Sequence, residues 1–176
     1  ISFQKIQGQL QGKGTIPTLQ AYLQLLNSAF IVTGIEKFSK RAFRTKASSP
    51  KLIVHDNALM RAFERPVTAG ISSERCGRYL ENAIGARFIE AGWDVFYWRD
   101  RKLEVDFVVH GPQGEKWAVE VKSAAVDEKE LVGIRTFCRL NPDYEPCLIS
   151  LATQAFSGIR SISVAEVLSF TRTVRS

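Results

Sequence analysis

Apolar positions recur along this chain in two rhythms, one of about 3.6 residues and one of 2, and the switches between them predict its elements. Phe3, Ile6 and Leu10 fall at helical spacing in a polar background, which predicts a helix over residues 2–12. Gly12-Lys13-Gly14 then forms a turn. Thr15 offers an N-cap, and Pro17 sits in a first turn, where its missing amide is tolerated. Leu19, Tyr22, Leu23, Leu26 and Phe30 mark the apolar stripe of a second helix. Residues 29–38 are β-branched and aromatic enough for a strand, and residues 51–54 predict a short second one. Asp56 is placed to cap a helix reaching Phe63, and residues 66–73 read as a connector.

Further on, Ser72 or Ser73 caps a longer helix that runs to about residue 91, with Gly92 placed to end it. Strands are predicted over residues 93–98, 103–110 and 116–123, the last two joined by Gly111-Pro112-Gln113-Gly114-Glu115. Residues 128–140 predict a helix, Asn141-Pro142-Asp143 a turn, residues 146–151 a strand and residues 164–170 a closing helix. Within residues 1–70, two helices followed by a β-ribbon are the ingredients of a winged-helix-like α+β part. Residues 71–176 read as a separate α/β domain, a mixed sheet flanked by helices.

Composition narrows the classes without choosing among them. Hydrophobic residues make up 45% and charged residues 24% of the 176, ordinary for a globular chain. A net charge of +6 and a pI near 9.4 favour acidic partners, nucleic acid among them. The cysteines Cys76, Cys138 and Cys147 are odd in number and lack metal-ligand spacing, which points to reduced thiols and a cytoplasmic setting. No apolar run is long enough to span a membrane, and no signal peptide is visible. The chain starts at Ile1 and its single methionine is Met60, so it is expected to be part of a longer protein.

The chemistry concentrates in Leu103-Glu104-Val105-Asp106-Phe107-Val108-Val109 and Trp117-Ala118-Val119-Glu120-Val121-Lys122. Strict alternation puts Leu103, Val105, Phe107 and Val109 on one buried face with Trp117, Val119 and Val121. The other face then holds Glu104, Asp106 and Val108 with Ala118, Glu120 and Lys122. A five-residue loop would set His110 opposite Lys116, Asp106 opposite Glu120 and Glu104 opposite Lys122. Opposed Cβ atoms are about 5 Å apart, where two carboxylates repel by roughly 3 kcal/mol at an effective dielectric near 20. A bridging Mg²⁺ or Mn²⁺ reverses that sign, and Lys122 can stabilise charge developing on a phosphate. The plainer reading of the same residues is a solvated outer face. Glu81 lies beside the buried stripe Leu80, Ile84 and Phe88 of the preceding helix; it is either a third acid for the site or a boundary residue paired with Arg78 or Arg87.

Arg99, Arg101 and Lys102, just before the acidic strand, fit phosphate-backbone contact or a solvated turn equally; Lys40, Arg41 and Arg44, in the basic run from Lys37 to Lys51, fit a wing that touches DNA, but without a groove-reading helix a charged exposed hairpin is the better reading. His55 and His110 lack a second ligand at metal spacing and read as turn or surface residues.

Asp106, a spacer of thirteen residues, then Glu120-Val121-Lys122 resembles the PD-(D/E)XK phosphodiesterase superfamily, with Val105 where its proline stands. More of the chain resembles the C-terminal region of prokaryotic AAA+-type ATPases, catalogued as a domain of unknown function, number 4143. The stretches that carry this are Gln4 to Leu10, Ser49-Pro50-Lys51-Leu52, Asn57-Ala58-Leu59, Leu80-Glu81-Asn82, Tyr97-Trp98-Arg99, Glu104-Val105-Asp106-Phe107 and Val119-Glu120-Val121-Lys122. The resemblance implies a restriction-endonuclease-like fold over residues 71–176 and an ATPase module ahead of this chain. It makes Asp106 and Glu120 metal ligands, Glu81 an outer ligand and Lys122 the catalytic cation. The expected function is that of a metal-dependent DNA endonuclease module; the alternative is a non-catalytic module binding DNA or protein. No Gly-x-x-x-x-Gly-Lys-Ser/Thr loop occurs, so no ATP site of that kind is expected here.

Overall fold

The computed structural model describes residue 8 and residues 15–39, 49–64, 72–152 and 154–170. Outside these lie all but residue 8 of the helix predicted over residues 2–12, the basic residues Lys40, Arg41 and Arg44, and residues 66–71 of the connector.

Helix α1 (Ile16–Ser28) starts where the side chain of Thr15 accepts from the Thr18 amide, with Pro17 in its first turn. It ends in a pair of reversed bonds: the Phe30 amide donates to the Asn27 carbonyl and the Ile31 amide to that of Leu26. This termination needs a left-handed residue, and Phe30 fills the place glycine usually takes, with φ 54°. The following strand therefore begins three residues later than its β-branched and aromatic content predicted, as β1 (Val32–Lys37). Of the predicted helical stripe only Leu19 is buried; Tyr22, Leu26 and Phe30 are exposed.

Strand β2 (Lys51–Val54) pairs antiparallel with β1, from Val32↔Val54 to Ile35↔Lys51. The short α2 (Asn57–Ala62) follows, with Asp56 accepting from the Ala58 amide. Helix α3 (Ser73–Glu90) is capped by Ser72 and followed by Gly92 at φ 82°. Strands β3 (Asp94–Asp100), β4 (Leu103–His110) and β5 (Lys116–Lys122) form a meander. A 3-10 turn (Glu128–Leu131) with an Asp127–Glu130 capping box leads into α4 (Val132–Leu140). Next come β6 (Glu145–Ser150), β7 (Arg160–Ser163) and α5 (Val164–Leu168). Strand β7 is not foreshadowed by alternation, because it has one buried residue, Ile162, among polar neighbours.

All strands join one mixed sheet in the order β2-β1-β3-β4-β5-β6-β7. β1 runs parallel to β3 through Glu36↔Phe96 and Lys37↔Tyr97. The ribbon from before residue 70 thus extends the sheet formed after it and does not stand apart as a wing. Pairing with β3 satisfies main-chain groups that a free ribbon edge leaves to water, and it buries Ile35 and Ile53 against Ile84 and Phe107.

The two faces of the sheet carry two cores. Ile84, Phe88, Phe107, Val109, Val119, Val121 and Val167 pack on the α3 and α5 side. Val105, Val108, Ala118, Leu131, Ile134, Phe137 and Leu148 pack on the α4 side. Val105 corrects the predicted faces, since it shares the side of Val108 and not that of Phe107. The cause is a bulge: Phe96 faces Val108 but Trp98 faces Val105, so two steps of β3 meet three of β4 and the alternation slips by one residue.

Close approach of α4 to this bulged strand depends on Gly133, where an added Cβ would overlap the Glu104 carbonyl oxygen. Because the obstacle is backbone, a side-chain rotation cannot relieve it. Gly133→Ala is expected to cost on the order of 1–3 kcal/mol, read as a lower midpoint in chemical unfolding. An unchanged midpoint would show that α4 does not need this contact. Among the described residues, no helix is long and apolar enough to cross a membrane.

Candidate functional site

The extra residue of β4 decides where Asp106 lies. The β4–β5 ladder follows the predicted register from His110↔Lys116 to Phe107↔Val119 and stops there. The predicted direct oppositions of Asp106 with Glu120 and of Glu104 with Lys122 are not part of it. Instead the Val121 amide donates to Asp106 Oδ2 at 2.9 Å, so a side-chain carboxylate replaces the main-chain acceptor that the bulge removed.

Glu120 and Lys122 follow on β5, in parallel register with Leu148 and Ser150 of β6. Their neighbours Val119 and Val121 belong to the α3-side core and Leu148 to the α4-side core, which sets Glu120 and Lys122 toward α4. Glu120 is only 7% exposed, and its Oε1 lies 3.1 Å from Lys122 Nζ. Glu81 enters from α3 and pairs with Lys51 of β2. Lys51 Nζ also donates to the Asp106 carbonyl at 3.1 Å and lies 4.5 Å from the centre of the Phe107 ring.

Burial and like charge control the acids. Burial, followed by the charge of Glu81, pushes the Asp106 carboxyl up to about 6, while Lys51, the Val121 amide and Lys122 oppose the shift. Burial, followed by the charge of Asp106, pushes Glu120 up to about 8 against the pull of Lys122. The Lys122 ammonium is raised, chiefly by Glu120, whose charge and hydrogen bond outweigh desolvation. Burial and mutual repulsion thus outweigh the pull of the neighbouring cations on these two carboxyls and favour their protonated forms.

Beside Asp106 opens a cleft of about 750 Å³, lined also by Lys37, Lys51, Arg99, Glu81 and Glu104 among others. Arg99 forms an exposed ion pair with Glu104 at 2.9 Å. Arg101 and Lys102 sit exposed at the β3–β4 turn, with Arg101 at φ 53°. The structure therefore places Asp106 and Glu81 about Lys51, and Glu120 with Lys122, with Asp106 and Glu120 in electrostatic contact.

Residues 76–169 match the family described as a domain of unknown function, DUF4143. The chain belongs to that family. Residues 1–75 match a second description, domain of unknown function DUF8612. No curated protein and no solved structure matches the chain. Glu81, Asp106, Glu120 and Lys122 all lie in the DUF4143 stretch, whereas Lys51 lies in the other.

Lys51 was not among the predicted site residues, although it falls in the resembling stretch Ser49-Pro50-Lys51-Leu52 and is a cation opening an otherwise apolar strand, Lys51-Leu52-Ile53-Val54. His110 is not a turn residue: its Nε2 hydrogen-bonds Tyr144 Oη at 2.7 Å, and burial pushes its pKa down. His55 hydrogen-bonds Thr33 Oγ1 at 2.8 Å.

The donor set also tests the predicted cation. Among the described residues no group of three or more His, Cys, Asp or Glu is placed to hold a metal. Glu81, predicted as an outer ligand, is engaged by Lys51. Asp106 and Glu120 are the two carboxylates in electrostatic contact, Asp106 bonded to the Val121 amide and Glu120 paired with Lys122.

Proposed function

We propose that this DUF4143 chain is a nuclease-like phosphodiesterase module that uses Mg²⁺ or Mn²⁺ and acts as part of a larger AAA+-type ATPase. The reading is carried by two buried, mutually repelling carboxylates on adjoining strands, with Lys122 beside Glu120 and Lys51 beside Asp106, and with Asp106 lining a cleft whose wall also carries Lys37, Lys51 and Arg99. The PD-(D/E)XK-like spacing supports the reaction type, and the ATPase partner rests on the family resemblance alone.

In this reading Asp106 and Glu120 hold the cation, which when bound supplies positive charge to a phosphate and makes a water a stronger nucleophile near neutral pH. Asp106 is held in place by the Val121 amide. Lys122 presents its ammonium to a phosphate oxygen, and Lys37, Arg99, Arg101 and Lys102 contact the nucleic-acid backbone. Incubation of the full chain with supercoiled DNA and Mn²⁺ is expected to give nicked circles, and EDTA to stop the reaction. Intact circles in Mn²⁺ and Mg²⁺ alike would overturn catalysis.

A second reading, a non-catalytic DNA-binding module, is favoured by one observation: Glu120 and Glu81 each already pair with a lysine. It predicts metal-independent binding of a DNA duplex that weakens steeply with salt, measured by fluorescence anisotropy. Anisotropy unchanged at low salt would exclude this reading and leave protein docking.

A further inference from the structure

Lys51 reaches the acids from a strand that is pinned at both ends. Before it, Tyr97 Oη donates to the Ser49 carbonyl at 2.7 Å. After it, the buried Asn82 clamps Val54: its Oδ1 accepts from the Val54 amide at 2.9 Å, and its Nδ2 donates to the Val54 carbonyl at 2.6 Å. Asn82 is next to Glu81 on α3, so the clamp that holds β2 also fixes the helix turn bearing the carboxylate. The ammonium thus arrives in a set position and meets three electron-rich groups: the Glu81 carboxylate, the Asp106 carbonyl and the face of Phe107. All three favour positive charge at that point. Without it, Glu81 would face the Asp106 strand with no intervening cation.

We propose that Lys51 is a resident counter-ion of the site: its ammonium stands where a second divalent cation would sit between Glu81 and the Asp106 strand, and so limits the cleft to one metal ion. The inference rests on the metal reading above for the first ion, held by Asp106 and Glu120. It makes Lys51 a positioning residue and makes the site dependent on both matched segments of the chain.

Mn²⁺ alone, titrated into the full chain and counted by electron paramagnetic resonance, tests this. Wild type is expected to bind one equivalent, and Lys51→Met two. Adding Glu81→Gln to Lys51→Met should remove the second. Lys51→Arg, which keeps the charge, should bind one. A single unchanged equivalent in Lys51→Met, or a second in Lys51→Arg, would overturn the proposal. If Lys51→Met lacks a cooperative unfolding transition, Lys51→Gln is judged by the same counts. Wild type binding none while Lys51→Met binds one ion that Glu81→Gln abolishes would sink the Asp106–Glu120 metal reading and leave the role of Lys51 standing. Failure of both chains to bind overturns both.

Discussion

Asp106→Asn is expected to abolish metal-dependent nicking, by roughly 100-fold or more, while leaving the protein folded. The two halves of this result come from two roles of one side chain. As an acceptor, Asp106 Oδ2 satisfies the Val121 amide where the β4–β5 ladder stops. Asparagine retains an acceptor oxygen and can keep that bond. As an anion, Asp106 is one of the two carboxylates proposed to hold the cation, and asparagine removes that charge. Asp106→Ala removes both, and an amide left without a partner costs about 1–3 kcal/mol, offset by loss of a buried charge. Nicking rates in Mn²⁺ and unfolding midpoints in EDTA, measured on both variants, separate the roles. Nicking by Asp106→Asn at the wild-type rate would mean that the observed cleavage does not come from this site.

The second large effect is on stability against pH. Glu120 has its carboxyl raised to about 8 in the folded chain, above its ordinary 4.5. A raised carboxyl favours the folded state while protonated. Its contribution is therefore fully present below about pH 4.5 and is lost as pH rises through 8. Asp106, raised to about 6, acts in the same direction over a lower window. Without metal, the chain is expected to lose stability steadily from pH 5 to 9, with Glu120 contributing up to roughly 4 kcal/mol. Glu120→Gln should be more stable than wild type at pH 9 and nearly equal to it at pH 5. Mn²⁺ should flatten the wild-type curve, because a bound cation takes over from the proton. Unfolding midpoints in EDTA and in Mn²⁺ across this range provide the check; a wild-type midpoint indifferent to pH in EDTA would show that these carboxylates are not held in a charge-poor setting.

Much of the site was legible in the residues because its spacing is local. The five-residue connection between the two central strands set the register from His110↔Lys116 to Phe107↔Val119, as alternation required. The Glu120-x-Lys122 pair shares a face because a strand repeats every two residues. The relation of Asp106 to that pair was not legible. It depends on one residue inserted against β3, and the sequence of β4 alone does not show where its partner will skip. Val105 changed faces for the same reason. Lys51 was hidden differently: it is separated from Asp106 by more than fifty residues, and the contact exists only because β1 docks in parallel on β3.

What the sequence by itself determined was whatever a few neighbouring residues can decide. Thr15, Asp56, Ser72 and Asp127 start helices or turns with their own side chains, and period-2 apolar runs make the central strands. Only the tertiary structure decided the bulge at Asp106, the joining of the ribbon to the sheet, the pairing of the polar β7, and the meeting of Lys51 with Glu81. Each of these exchanges hydrogen bonds or charges between distant segments. Their free energy depends on which partners the whole fold presents, and that is not a property of any one stretch.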